Sequence, residues 1–255
     1  MRKIVSLMLA AVLLLSMSIS SAATQPVKTE TGEVTANYVK GAESGQIISV
    51  NIAWEGMTFT YHGESEKKWD PVNHVYLPAE EAYWDSSNAK ITVTNDSDMI
   101  LKADIAYTQK SGYEDMDLAF TDTKPYIGSA DAVTEGMTAG KACAVEIKAV
   151  PMGSLKPDTP ADAVVGEIKV TMTTVENAAD VLTDISKLYP KVPVGSANVE
   201  RGKYYFASAQ DKSDVDNLYN LASFDEEDPD ISKSARNASL NAMLTAYYNK
   251  LCLKQ

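Results

Sequence analysis

Hydrophobic and polar residues alternate along the first two thirds of the chain. In VNIAWEGMTFTY (50–61), Val50, Ile52 and Trp54 fall on one face of an extended chain, and Met57, Phe59 and Tyr61 repeat the pattern after Glu55-Gly56. A period of two sends alternate side chains to opposite faces of a strand, so this stretch predicts two core strands joined by a short turn. EVTANYV (33–39) alternates Val34, Ala36 and Tyr38. KITVTN (90–95) places Ile91 and Val93 together, and MILKADIAYT (99–108) does the same with Leu101, Ala103, Ile105 and Tyr107. Between them Asn95-Asp96-Ser97-Asp98 are turn formers, because their side chains bond the local backbone, so residues 90–108 read as a hairpin. CAVEIKAV (143–150) and GEIKVTMTT (166–174) add two strands, the second with Ile168, Val170 and Met172 alternating. LKPDTPAD (155–162) reads as a surface loop. About seven short strands, each with one polar face, predict two antiparallel sheets closing on a shared core, a β-sandwich.

After Thr174 the period changes. ENAADVLTDISKLYPKV (176–192) carries Val181, Leu182, Ile185 and Leu188 at helical spacing, with Pro190 as its stop. RGKYYFASA (201–209) reads as strand or loop. SDVDNLYNLASF (213–224) puts Val215, Leu218, Leu221 and Ala222 on one side. A last helix is predicted to open at Asp228-Pro229-Asp230 and to carry the stripe Leu240, Leu244, Tyr247 and Leu251. The boundary between the β part and this small α-helical C-terminal region is placed near residue 175.

Residues 1–23, MRKIVSLMLAAVLLLSMSISSAA, have the layout of a signal peptide. Arg2 and Lys3 precede an apolar run from Ile4 to Leu15, and small residues follow with Ser21 and Ala23 at cleavage spacing. The run is shorter than the ~20 residues of a membrane span. The expected organisation is therefore signal peptide 1–23, β-sandwich 24–175 and helical region 176–255, with the mature chain secreted or retained at the cell surface. The whole chain has a net charge of −12, and losing Arg2 and Lys3 leaves 21 basic against 35 acidic residues, or −14. Such a surface repels phosphate backbones and argues against nucleic acid and anionic lipid as partners.

Cys143 and Cys252 are the two cysteines. In an oxidising compartment they are candidates for a disulfide that would staple the last predicted helix onto the β-domain, or they are two separate thiols. Spacing alone does not decide, since pairing needs their Cβ atoms to meet. Two cysteines are too few for a disulfide scaffold or a cysteine-rich zinc site.

WEGMTFTY (54–61), WDPVNHVY (69–76), the third tryptophan Trp84 and KITVTNDSD (90–98) together resemble a β-sandwich module of exported gut Firmicutes proteins. The likeness covers roughly residues 33–174 and implies an Ig-like sandwich without implying an activity. A looser resemblance joins Lys90–Asn95 and Lys102–Tyr107 to TasA/camelysin-type matrix proteins, which have an export signal and an Ig-like sandwich. The helical region resembles neither.

Trp69, Tyr76, Tyr83 and Trp84 flank a loop rich in Asp, Asn, Pro and His. Aromatic faces of this kind stack on sugar rings when exposed, and pair across strands or fill a core when not. His62, His74 and Asp70 have the chemistry of a zinc site but no motif spacing, so no metal is assigned. DEEDPD (225–230) lacks the glycine and the closing glutamate of a calcium loop and reads as an acidic lead-in favoured by a helix dipole. Asn237-Ala238-Ser239 is a glycosylation sequon. No nucleophile elbow, cysteine-protease context or phosphate loop is present. These features point to a non-enzymatic, cofactor-free binding or adhesion protein, whose ligand would be a glycan or a surface protein. Two alternatives stand beside it. One is a matrix-fibre subunit self-associating through strand edges, with segment 24–40 as donated strand. The other is a secreted hydrolase of unrecognised type.

Overall fold

A computed structural model describes the backbone of residues 34–36 and all of residues 48–130 and 142–255. The leader, and all but the middle of the expected strand at 33–39, lie outside these residues. In chain order the elements are β1 (Val34–Ala36), β2 (Val50–Glu55), β3 (Tyr61–His62), β4 (Lys68–Asp70), β5 (Val75–Leu77), β6 (Tyr83–Trp84), β7 (Lys90–Asn95) and β8 (Ile100–Gln109). Then come β9 (Met116–Phe120), β10 (Tyr126–Ile127), β11 (Cys143–Gly153), β12 (Gly166–Val175), α1 (Ala178–Leu188), β13 (Tyr204–Phe206), α2 (Ala209–Glu227), α3 (Lys233–Lys250) and β14 (Leu251–Leu253). The protein is mainly β, with antiparallel sheets and a C-terminal helical part.

Two four-stranded sheets carry the β part, in the orders β1-β12-β8-β10 and β2-β7-β11-β9. All their ladders are antiparallel except β1, which lies parallel to β12. The period-two pattern shows directly in burial. Ile91 and Val93 of β7, Leu101, Ala103 and Ile105 of β8, Val145 and Ile147 of β11, and Val170 and Met172 of β12 are buried in one continuous cluster. On the outer face of β7, Lys90 Nζ reaches Glu146 Oε1 at 2.7 Å and Glu55 Oε2 at 3.7 Å, so charge lines the wet side while aliphatic groups line the dry one.

The expected hairpin at 90–108 is not one. β7 pairs with β2 and β11, whereas β8 pairs with β12 and β10, so the turn carries the chain from one sheet to the other. Buried Asn95 shapes this crossing. Its Nδ2 donates to Met99 O (2.7 Å) and Gly128 O (2.8 Å), and its Oδ1 accepts from Ser97 N–H (2.9 Å). Burial does not separate the two arrangements, because strands paired edge to edge, such as β7 with β11, also share one core; the ladder partners do. A short polar turn fits either arrangement. The second expected strand of VNIAWEGMTFTY is likewise corrected. Residues 56–60 join no ladder and only Tyr61–His62 are strand, yet Met57, Phe59 and Tyr61 keep their alternate half-burial and pack against the core.

The helices share the core of the sheets. Val181, Ile185, Phe206, Val215, Leu240, Met243, Leu244, Tyr247 and Tyr248 belong to the same cluster as the strand residues. α3 also covers an open sheet edge. β9 pairs with β11 only from Ala149 to Gly153; alongside the first half of β11, α3 takes over. There Thr245 Oγ1 donates to Ala144 O (3.3 Å) and Asn249 Oδ1 accepts from Glu146 N–H (3.1 Å), while Lys148 Nζ donates to the Leu251 carbonyl at the helix end. An edge strand with its polar groups satisfied this way cannot template further pairing.

Helix boundaries follow their caps. Asn177 caps α1, and Pro190 sits in a 3₁₀ turn, Tyr189–Lys191, directly after it. The last helix starts later than expected. Pro229 holds Asp228 extended (φ −85°, ψ 113°), so Asp228 closes α2, and Ser232 caps α3 by accepting from Ala235 N–H (3.2 Å). Cys252 lies in β14 rather than in a helix, paired with Tyr205 of β13. Leu221 and Leu188, expected on buried stripes, are 49% and 40% exposed.

Candidate functional site

Between β2 and β7 the chain leaves the sheets as a long hairpin arm, Tyr61 to Trp84. β3 pairs with β6 as Tyr61↔Trp84 and His62↔Tyr83, and β4 pairs with β5 as Lys68↔Leu77, Trp69↔Tyr76 and Asp70↔Val75. Between the two ladders Ser65 N–H donates to Glu80 O (3.1 Å), and Glu80 N–H to Ser65 Oγ (3.0 Å). All these pairs keep one register, so the two short ladders are parts of a single ribbon. From Tyr61 to Asp70 it spans on the order of 30 Å at about 3.3 Å per residue. Almost every residue from 62 to 83 is exposed.

The base of the arm is anchored. Trp84 is buried, its Nε1–H donates to Gly153 O (2.9 Å), and its ring lies 4.9 Å from that of Tyr61. Gly153 adopts φ +72°, and a Cβ there would come within 1.9 Å of Asp115 O, so no other residue could sit at this junction. His62 stacks on Tyr83 (4.5 Å, 12° between planes), and its Nε2 lies 2.9 Å from Asp85 Oδ1.

The tip is held by one carboxylate. Asp70 Oδ1 accepts from the Val72 and Asn73 backbone N–H groups (2.9 and 3.3 Å), and Oδ2 accepts from Asn73 Nδ2 (2.7 Å). The Asn73 side chain, then these two backbone donors, keep the Asp70 carboxyl below the ordinary carboxylate range. His74 completes the turn at φ +53°, a backbone state uncommon outside glycine.

Near this tip Trp69 and Tyr76 stand opposite each other with ring centroids 5.0 Å apart and planes at 59°, and His74 stacks on Trp69 at 6.2 Å. Trp69 is 46% and Tyr76 66% exposed. Val72, Val75 and Leu77, not singled out from the sequence, are exposed as well. Together these five side chains expose on the order of 500 Å², taking roughly 150–250 Å² for a large side chain, divided between the two faces of the ribbon. Of the four aromatics picked from the sequence, Trp69 and Tyr76 form one pair at the tip. Tyr83 is half-exposed at the base, and Trp84 lies in the core, where it cannot stack on a ligand. The signal for Val72, Val75 and Leu77 was present only as an apolar surplus in a short, turn-bounded segment.

Other sequence candidates are dispersed. His62 and His74 lie at opposite ends of the arm, so they do not meet around Asp70. Asp225–Glu227 finish α2, and Asp228 Oδ1 accepts from Asp230 N–H (2.9 Å) within the turn that follows. In the sequon, Ser239 is buried in α3 with its hydroxyl bonded back to Ala235 O and Arg236 O. No S–S bond joins Cys143 and Cys252. Cys143 Sγ lies 3.9 Å from Thr245 Oγ1, more than a helical turn of α3 before β14. Among the described residues no group of three or more His, Cys, Asp or Glu side chains is placed to hold a metal, and no helix is long and apolar enough to cross a membrane.

One polar network joins helices to sheet. Lys102 Nζ donates to Tyr126 OH (2.8 Å), which donates to Asp184 Oδ2 (2.7 Å), and Tyr248 OH accepts from Tyr126 N–H (2.9 Å). Tyr248 also bonds Asp122, whose carboxyl is pushed up by burial. These bonds tie α1 and α3 to β8 and β10. Compared with family models, curated proteins and solved structures, the chain finds no match.

Proposed function

We propose that this chain is an exported, non-enzymatic binding or adhesion protein that meets its ligand with the hairpin arm. The observation that carries the reading is the Trp69–Tyr76 pair, held exposed on a ribbon anchored at Trp84. Large aromatics have few rotatable bonds, so a pair already packed on each other presents its binding surface at low entropic cost. The leader-like residues 1–23 support export. Two four-stranded sheets meeting in one core are compatible with an Ig-like sandwich that would present the arm at the cell surface.

A glycan and surface-protein array, probed with the mature chain and with Trp69→Ala and Tyr76→Ala, tests this. A buried anchor is worth about 2 kcal/mol, or roughly thirtyfold in affinity. Each substitution is expected to weaken the captured ligand by about that factor. A ligand bound equally well by both variants, or turnover of ester, peptide or glycoside substrates, would overturn the reading.

A further inference from the structure

The arm is apolar on both faces. Residues opposite each other share a face and neighbours alternate, so Trp69 and Tyr76 occupy one face while Val75 and Leu77 occupy the other with Lys68 and Asp70. A flat ligand covers a single face. A lipid surface would leave the outer-edge N–H and C=O groups of β4 and β5 without partners. Strand addition satisfies the edge it joins, and a two-stranded ribbon is marginal in water until a further strand joins it.

We propose that two copies of this chain pair antiparallel through β4, about a twofold axis at Trp69. The strand Lys68-Trp69-Asp70 is its own complement. In twofold antiparallel register, Lys68 of each copy stands opposite Asp70 of the other, and the two Trp69 residues face each other. The Asp70 carboxylate, already shaped by the turn, has acceptor capacity left for a lysine. β5 offers only Val75 opposite Leu77, with no charge pairing, so β4 is the assigned edge. Trp69 lies eight residues from the base, on the order of 25 Å, which holds the two bodies apart without collision. The pairing creates a four-stranded sheet, β5-β4-β4-β5, with Tyr76, Trp69, Trp69 and Tyr76 in one row. The second copy thus doubles the aromatic surface of the proposed binding site. The short edge makes the dimer weak and concentration-dependent.

Sedimentation of the mature chain over a wide concentration range tests the pairing without reference to any ligand. Average mass should rise from one chain to two and stop there. Lys68→Glu, at an exposed position, sets acid against acid and should raise the dissociation constant roughly tenfold. Asp70→Asn keeps the turn and should weaken the dimer less. Trp69→Cys should form a covalent dimer under oxidised glutathione, because facing residues lie about 4.5–5.5 Å apart at Cα, within disulfide reach. Tyr76→Cys, roughly 14 Å from its copy, should not, and the wild type, with its two native cysteines, serves as control. A strict monomer, an open-ended series, an unaffected Lys68→Glu dimer or equal cross-linking at both positions would overturn the proposal. A wild-type chain that dimerises as expected yet captures no ligand on the array would count against the binding reading alone.

Discussion

Trp84 and Trp69 are two tryptophans of one arm, and the structure gives them opposite energetic roles. Trp84 is 8% exposed, packs on Tyr61 and donates to Gly153 O, whereas Trp69 is 46% exposed and packs on Tyr76 and His74 of its own ribbon. Replacing a buried Trp by Ala costs about 3–5 kcal/mol through lost transfer energy and a residual cavity. Leaving the Gly153 carbonyl without its donor adds about 1 kcal/mol. Trp84→Ala should therefore cost about 4–6 kcal/mol, and Trp84→Phe, which keeps a ring but not the N–H, about 1–2 kcal/mol. Trp69→Ala should stay within about 1 kcal/mol. With a urea m-value near 2–3 kcal/mol/M, the first substitution moves the unfolding midpoint down by roughly 1.3–3 M and the third by less than about 0.5 M. Urea titration followed by far-UV circular dichroism measures both. Comparable losses at Trp69 and Trp84, or no cost for Trp84→Phe, would refute the assignment of anchor and contact surface.

Asn95→Ala removes the side chain that bonds Met99 O, Gly128 O and Ser97 N–H at the crossing between sheets. A loss of about 3 kcal/mol is expected in the same titration, since buried partners are left unsatisfied; a neutral result would mean the crossing forms without them. Lys250 Nζ ties the end of α3 to Asp211 Oδ1 (3.0 Å) and Asp214 Oδ2 (2.7 Å) of α2. Hydrogen bonding, from Ser208 and Lys250 to Asp211 and from Lys250 first to Asp214, lowers both carboxyls below their ordinary value of 3.8. A lowered folded-state value means the stabilisation is present above about pH 4 and fades as pH falls through the folded values. Lys250→Met should accordingly lower Tm at pH 7 and converge on wild type in strong acid. A Tm gap that widens on acidification would contradict the pairing.

Much of the β part was legible in the residues. The limits of β7, β8, β11 and β12 agree with the alternation of Ile91/Val93, Leu101/Ala103/Ile105, Val145/Ile147 and Val170/Met172 to within a few residues, because a half-buried strand must repeat every second position. The stripe Leu240, Leu244, Tyr247 survives as buried helix face, although Leu251 has already passed into β14. β9 and β14 carried too few residues to announce themselves. Of the candidate site, the aromatic cluster was visible, but its division into anchor and exposed pair was not.

Within β7, β8, β11 and β12 the order of residues alone determined which positions are dry and which are wet, because a half-buried strand repeats its chemistry every second residue. Pairing partners were decided by tertiary structure. Asn95 to Asp98 could turn a hairpin or cross between sheets, and only the long-range partners of the flanking strands, β2 and β11 for β7 and β12 and β10 for β8, fix the crossing. Trp69 and Trp84 have the same chemistry; Trp84 lies in the core because Gly153 brings a carbonyl to its indole, a contact made 69 residues away in sequence. Long-range packing, not composition, separates the two.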